Sequence, residues 1–170
     1  FATLANRDVW RKAAAGASVP SMVPVPALRI AKGLPGGFDL GATYSTVPNS
    51  GASLVGAEVR YAIVEGGPLT PAVGVRLSAT RLNGVKQVGL SNTGIDVAIS
   101  KGLPIVTPYG GVGLVRTSAS PEGTKFKSET ANMTRVFAGA HFNLVLFDFT
   151  LEADRVGKAT SASARLGFRF

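Results

Sequence analysis

Strict two-residue alternation constrains this chain more than any other feature. From Val55 the odd positions read Val55, Ala57, Val59, Tyr61 and Ile63, while the even ones read Gly56, Glu58, Arg60 and Ala62. Only an extended strand with two unlike faces has that period. Val73, Val75, Leu77 and Ala79 stand against Gly74, Arg76, Ser78 and Thr80, and Ile95, Val97 and Ile99 against Gly94, Asp96, Ala98 and Ser100. Phe147, Phe149, Leu151 and Ala153 oppose Asp148, Thr150, Glu152 and Asp154. The last run sets Ala162, Ala164, Leu166, Phe168 and Phe170 against Ser161, Ser163, Arg165, Gly167 and Arg169. Residues 105 to 117 mix Gly with Val, Leu and Tyr109 on both faces and declare no direction.

The composition narrows the class further. With 45% hydrophobic and 16% charged residues over 170 positions, the chain is too apolar and too sparsely charged for a disordered basic segment. The absence of cysteine removes disulfide frameworks and Cys-based zinc sites. A membrane helix needs about 20 predominantly apolar residues. The longest uncharged stretch, Ala13 to Leu28, is interrupted by Pro20, Pro24 and Pro26, which remove backbone donors. If the chain enters a membrane, it does so as strands. The opening Phe1, with no basic segment leading into an apolar core, reads as the start of a processed or truncated chain.

Turn signals separate the alternating runs: Lys32-Gly33-Leu34-Pro35, Gly66-Gly67-Pro68, Lys101-Gly102-Leu103-Pro104 and Asn143-Leu144. Ile30 to Pro35 and Ile99 to Pro104 differ at one position, a weak repeat whose unit is a hairpin. Longer polar connections lie at 47–52, 83–87, 118–128 and 156–159. The pattern predicts strands at 25–33, 36–46, 53–65, 69–82, 88–100, 105–118, 130–142, 145–156 and 160–170. Bacterial single-chain barrels use even strand numbers, so Phe1 to Ala5 reads as the end of a further strand. The expectation is one all-β domain over 1–170: a transmembrane antiparallel up-and-down barrel of about ten strands, with eight as the alternative. Residues 6–21 form an outer loop in this scheme, with a short helical turn at Asp8 to Ala15.

A soluble β-sandwich or lipocalin-like barrel also alternates, but puts its apolar face inward and leaves a Lys-rich face to water. Here the polar face is small residues plus Arg with Asp or Glu. Tyr44, Tyr61, Tyr109, Phe142, Phe147, Phe168 and Phe170 fall near strand ends and suit an interfacial aromatic girdle.

The ending Ala164-Arg165-Leu166-Gly167-Phe168-Arg169-Phe170 resembles the C-terminal strand of bacterial outer-membrane proteins. That resemblance implies an assembly signal carried by Leu166, Phe168 and Phe170 and read by the outer-membrane assembly machinery. Asn6 to Trp10, the Lys-Gly-Leu-Pro turns, Thr107 to Gly113 and Glu152 to Arg155 resemble a family of small, porin-like proteobacterial outer-membrane barrels, a likeness spanning most of the chain. It implies a bacterial outer-membrane location and no established activity.

Sorting charges by face yields the candidate site. Inward positions hold Arg29, Arg60, Arg76, Arg135, Arg165 and Arg169 with Asp39, Glu58, Asp96, Asp148, Glu152 and Asp154, which cancel. They predict a salt-bridged interior, with Arg165 and Arg169 pairing Asp148 and Glu152. The remaining charges carry the whole net +8. Of these, Arg7, Arg11, Lys12, Arg81, Lys86, Lys125, Lys127 and Lys158 collect on the outer side, where they suit lipopolysaccharide phosphates. No basic helix or aromatic-basic strand motif points to nucleic acid. The sole histidine, His141, lies near a turn, and a set made of Ser161, His141 and Asp148 would be split between opposite rims. No phosphate loop or metal-ligand spacing occurs, so neither cofactor nor metal is expected. The functional expectation is a non-enzymatic outer-membrane barrel with a filled lumen, contacting lipid, lipopolysaccharide and an envelope protein partner. The alternative is a narrow channel or carrier for a small, anionic solute.

Overall fold

A computed structural model describes residues 2–3, 22–23, 25–46, 51–67, 69–84, 88–121, 129–144 and 146–168. Nine long strands follow the alternating runs closely. They are β3 (Ala27–Leu34), β4 (Phe38–Thr46), β5 (Ser53–Val64), β6 (Ala72–Asn83), β7 (Val88–Ser100), β8 (Val106–Pro121), β9 (Glu129–Leu144), β10 (Phe147–Val156) and β11 (Ala159–Phe168). Two strands of two residues each, β1 (Ala2–Thr3) and β2 (Met22–Val23), complete the set among the described residues. All join one sheet in the order β2-β1-β11-β10-β9-β8-β7-β6-β5-β4-β3. Every pairing is antiparallel between neighbours, so β3 to β11 run up and down without a crossover.

Local chemistry places the reversals. Gly36 and Gly37 adopt φ of 82° and 78° between β3 and β4, a left-handed region closed to most side chains. The turn therefore comprises Pro35, Gly36 and Gly37, and Lys32 to Leu34 lie in the strand rather than in the turn that the sequence suggests. Asn143 and Leu144 likewise belong to β9. Between β7 and β8, Leu103 N–H donates to Val106 O at 2.9 Å and Lys101 N–H to Pro108 O at 3.1 Å. A bulge at Ala62/Val64 is an irregularity in the β5–β6 ladder.

The sheet curls, and its two faces are unlike. On the convex side the register strings apolar residues into continuous rows. One row runs Leu40, Val59, Leu77, Ile95 and Leu114 across five strands, and another runs Phe38, Tyr61, Val75, Val97, Val112 and Val136 across six. Beside the second row, on the concave side, lies the row Asp39, Arg60, Arg76, Asp96, Gly113 and Arg135. Among the described residues only Ala52 and Phe137 are apolar and buried, while Leu28, Ile30 and Leu166 are 71%, 68% and 63% exposed.

Closure is where the sequence expectation fails. The nine long strands form an open half-barrel spanning 242°, not a closed transmembrane barrel. Among the described residues the end strands β3 and β2 pair only inward, with β4 and β1. Alternation sets which face each residue occupies, but closing a barrel depends on strand number, tilt and stagger summed over all strands. The expected tenth strand at Phe1 to Ala5 corresponds to β1, which pairs β11 at Ala2 and Ser161 and is itself joined by β2 rather than by β3. The proposed outer loop and helical turn fall outside the described residues, apart from β1 and β2 at its borders. Because the described strands enclose no lumen, a channel, an outer rim and the outer-membrane location lose their structural basis.

Candidate functional site

The concave face carries the densest chemistry. Three glycines on β8 and β9 make the space for it. A Cβ on Gly113 would collide with the Asp96 carboxylate, one on Gly111 with the Phe137 ring, and one on Gly139 would sit 2.6 Å from the Tyr109 hydroxyl. Gly111 and Gly113 are among the residues whose mixed faces left 105–117 undeclared in the sequence.

Asp96 is 1% exposed and anchors the network. Its Oδ2 accepts from Arg76 Nε at 2.8 Å and from Arg135 Nη1 at 3.4 Å. Arg135 also donates through Nη2 to Glu152 Oε1 at 3.1 Å and lies 3.4 Å from Asp154 Oδ2 through Nε. One guanidinium thus ties strands β7, β9 and β10. Phe137 is held between the two cations, with Arg76 and Arg135 at 5.2 and 4.9 Å from its ring centre, a favourable cation–π geometry. Tyr109 donates to Glu152 Oε2 at 2.8 Å. Burial first, then the Glu152 charge and this hydrogen bond, push the Tyr109 phenol above its ordinary range.

A second cluster lies towards β3. Glu58 pairs with both Arg29 and Arg60, the latter at 3.0 Å. Arg60 stands directly opposite Arg76 in the β5–β6 register, an unfavourable like-charge neighbour. Burial, then Arg60, Arg165 and Arg76, pull the Arg29 guanidinium down to about 10. Arg60 is lowered in the same sense, by burial first and then by Arg76 and Arg165.

Of the sequence-selected charge network, Arg29, Glu58, Arg60, Arg76, Asp96, Arg135 and Glu152 come together in these ion pairs. The hairpin pairing of Arg165 with Asp148 or Glu152 does not form among the described residues, because Glu152 is taken by Arg135 and Tyr109. Arg165 faces Thr150 instead. Arg169 lies outside the described residues. Sequence reasoning missed Phe137 and misplaced Tyr109 as a girdle residue. Both share the parity that places Arg135 inward, since Tyr109 pairs Gly139 and Phe137 lies two positions from Arg135.

The other selected residues disperse. Arg81 and Lys158 occupy the end of β6 and the β10–β11 turn, while Arg7, Arg11, Lys12, Lys86, Lys125 and Lys127 lie outside the described residues. With no closed barrel to define an outer rim, their assignment to lipopolysaccharide and lipid is withdrawn. Leu166 is an exposed convex residue, Phe168 ends β11, and Phe170 lies outside the described residues. His141 Nδ1 lies 2.8 Å from Thr150 Oγ1, and Ser161 hydrogen-bonds Asp154, so the set of Ser161, His141 and Asp148 is not assembled. Past the network, a hollow of about 340 Å³ includes Ser78, Thr80, Asn92 and Thr117, with Arg135 and Asp154 also in its lining. Asn92 bridges the two threonines, accepting from Thr117 at 2.7 Å and donating to Thr80 at 3.4 Å.

The fold and site together define an all-β domain whose antiparallel sheet is curled around ion pairs and apolar on its outside. No family model, curated protein or solved structure matches the chain. The likeness to small outer-membrane barrels, including the assembly machinery it implied as a partner, is therefore not upheld, because alternation is the period of any strand with two unlike faces.

Proposed function

We propose that this protein is a non-catalytic interaction module that works through its convex face, with the concave ion pairs serving as an internal frame. The observation that carries this is the inversion of polarity. The apolar rows Leu40 to Leu114 and Phe38 to Val136 lie on the convex face, where most of their large side chains are exposed, while the most buried side chain is the carboxylate of Asp96. Contiguous apolar patches beyond a few hundred Å² mark surfaces that are covered in use. Burying them against an apolar surface is worth roughly 25 cal/mol per Å². The engagement of Arg76, Arg135, Asp96 and Glu152 with one another supports a framework role rather than acid–base work.

Val97→Lys and Leu77→Lys in the centre of that face test the reading. Light scattering of the purified wild type in detergent-free buffer is expected to show association that both variants reduce towards monomer, with the strand content of the sheet unchanged. A wild type that is monomeric and monodisperse, and indistinguishable from the variants, would overturn it.

A further inference from the structure

Six asparagines occur in the sequence, and only Asn83 is followed by glycine. An asparagine side-chain amide is open to attack by the backbone nitrogen of the next residue. A side chain on that next residue obstructs the attack, and glycine does not. The fold decides whether such a pair is held away from reaction or left free to react. Asn83, Asn92, Asn132 and Asn143 all lie among the described residues, so their surroundings can be compared.

Asn83 closes β6 and is exposed, as is Gly84. On one side Asn83 pairs Ser53, the terminal step of the β5–β6 ladder. On the other side the β6–β7 ladder has already stopped at Leu82 and Leu90. Gly84 lies beyond both ladders with φ of 83°. A Cβ there would run into the Gly51 carbonyl and crowd the Ala52 Cα, so the fold keeps glycine at the position that leaves its neighbour vulnerable.

The other three are placed differently. Asn92 is half-buried, its amide is engaged with Thr80 and Thr117, and the branched Thr93 follows it. Asn143 pairs Asp148, donates its backbone N–H to Ile105 O at 2.9 Å and precedes Leu144. Asn132 is the nearest match to Asn83. It is exposed and pairs Arg116 of β8 but no residue of β10 among the described residues, and Met133 follows it.

We propose that Asn83 is a site of spontaneous covalent modification, at which the Asn83–Gly84 pair converts through a cyclic imide to aspartate and isoaspartate. Base removes the Gly84 amide proton, the nitrogen attacks Asn83 Cγ, and the side-chain nitrogen takes up a proton and leaves as ammonia. The five-membered imide then adds water at either carbonyl. Opening at one restores the ordinary backbone with an aspartate side chain. Opening at the other routes the main chain through Cβ and Cγ, which lengthens it. Either product replaces a neutral amide with a carboxylate and lowers the net charge of +8 by one. Asn83 shares the parity of Leu77 and Arg81, so the new carboxylate stands at the end of the convex face. Because Ser53 and Asn83 are the terminal pair, the longer main chain disturbs no ladder pair beyond them.

Incubation of the full chain in mildly alkaline buffer, followed by mass spectrometry of its tryptic peptides, tests the proposal. Asn83 is expected to convert at least about tenfold faster than Asn92, Asn132 or Asn143, with isoaspartate among the products and a rate that rises with hydroxide concentration. Since the site is exposed at a ladder end, its rate in the folded chain is expected to lie within about threefold of that in guanidinium chloride. Asn83→Gln requires a larger ring and is expected to stay unmodified while keeping the wild-type circular dichroism. An Asn83 rate no faster than that of Asn132, or one slowed more than about tenfold by folding, would overturn the proposal. So would aspartate formed without isoaspartate, the outcome of direct hydrolysis.

Discussion

The convex and concave faces are built from the same strands, one residue apart, and obey opposite rules. On the convex face each residue touches its cross-strand neighbours but no second layer, so Leu77, Ile95 and Leu114 stay about half exposed. On the concave face the curl brings side chains from distant strands together, so Asp96 of β7, Arg135 of β9 and Glu152 of β10 meet although their strands are not all adjacent. Curvature, rather than hydrophobicity, decides which face is the interior here. Internal cohesion is therefore concentrated in polar contacts and in glycines that admit them, whereas the apolar rows contribute little until something covers them.

Substitutions on the two faces are expected to differ sharply in urea unfolding at protein concentrations low enough to keep the chain monomeric. Asp96→Ala leaves Arg76 without its carboxylate and Arg135 with one fewer, and is expected to cost about 3–5 kcal/mol, as for removal of one partner from a buried ion pair. A cost below about 1 kcal/mol would show that the network does not hold the sheet. Gly113→Ala forces a methyl into the Asp96 carboxylate and the Ile95 carbonyl and is expected to cost about 1–3 kcal/mol by overpacking. Gly102→Ala, where a Cβ meets nothing within 4 Å, is the matched control with little change.

Alkaline titration sharpens the contrast through Tyr109. A phenol whose folded pKa lies above its unfolded value of about 10 stabilises the fold below that pH and loses the contribution as pH rises through the folded value. Wild type is therefore expected to lose urea resistance above about pH 10 faster than Tyr109→Phe, which lacks the group. Parallel decline of the two proteins would show that neither burial nor Glu152 perturbs the Tyr109 phenol in the folded state. The smallest effect is expected on the other face. Leu77→Ser and Val97→Ser leave side chains already open to solvent, and each is expected to shift stability by about 0.5 kcal/mol or less. A loss of 2 kcal/mol at either would mean that the convex rows are packed in the isolated chain.

The strands and their faces were legible in the sequence because alternation is a local property. Glu58 and Arg60 declare one face and Val59 and Tyr61 the other without knowledge of any neighbouring strand. The ion-pair partners were only partly legible, since parity places Arg165 inward but does not reveal that the curl gives Glu152 to Arg135. Even near-identical segments diverge. Ile30 to Leu34 continues as strand because Gly36 and Gly37 supply the turn beyond it, whereas the matching residues after Ser100 leave the sheet and loop back from Ile105. Closure was not legible at all. An open sheet and a barrel share the same alternation, and only the accumulated stagger of every register separates them. The compartment inferred from the barrel fell with it.

Because the chain contains no cysteine, single cysteines give an unambiguous report of which face is covered in the working protein. The decisive measurement is the rate of maleimide labelling, in intact producing cells and after denaturation, of Val97→Cys and Leu114→Cys on the convex face and Leu69→Cys, a fully open position at 93% exposure, as reference. Labelling of Leu69→Cys at its denatured rate, with Val97→Cys and Leu114→Cys protected at least about tenfold until denaturation, is the predicted result. Labelling of all three at the same rate as in the denatured chain would show the convex face bare and contradict the account.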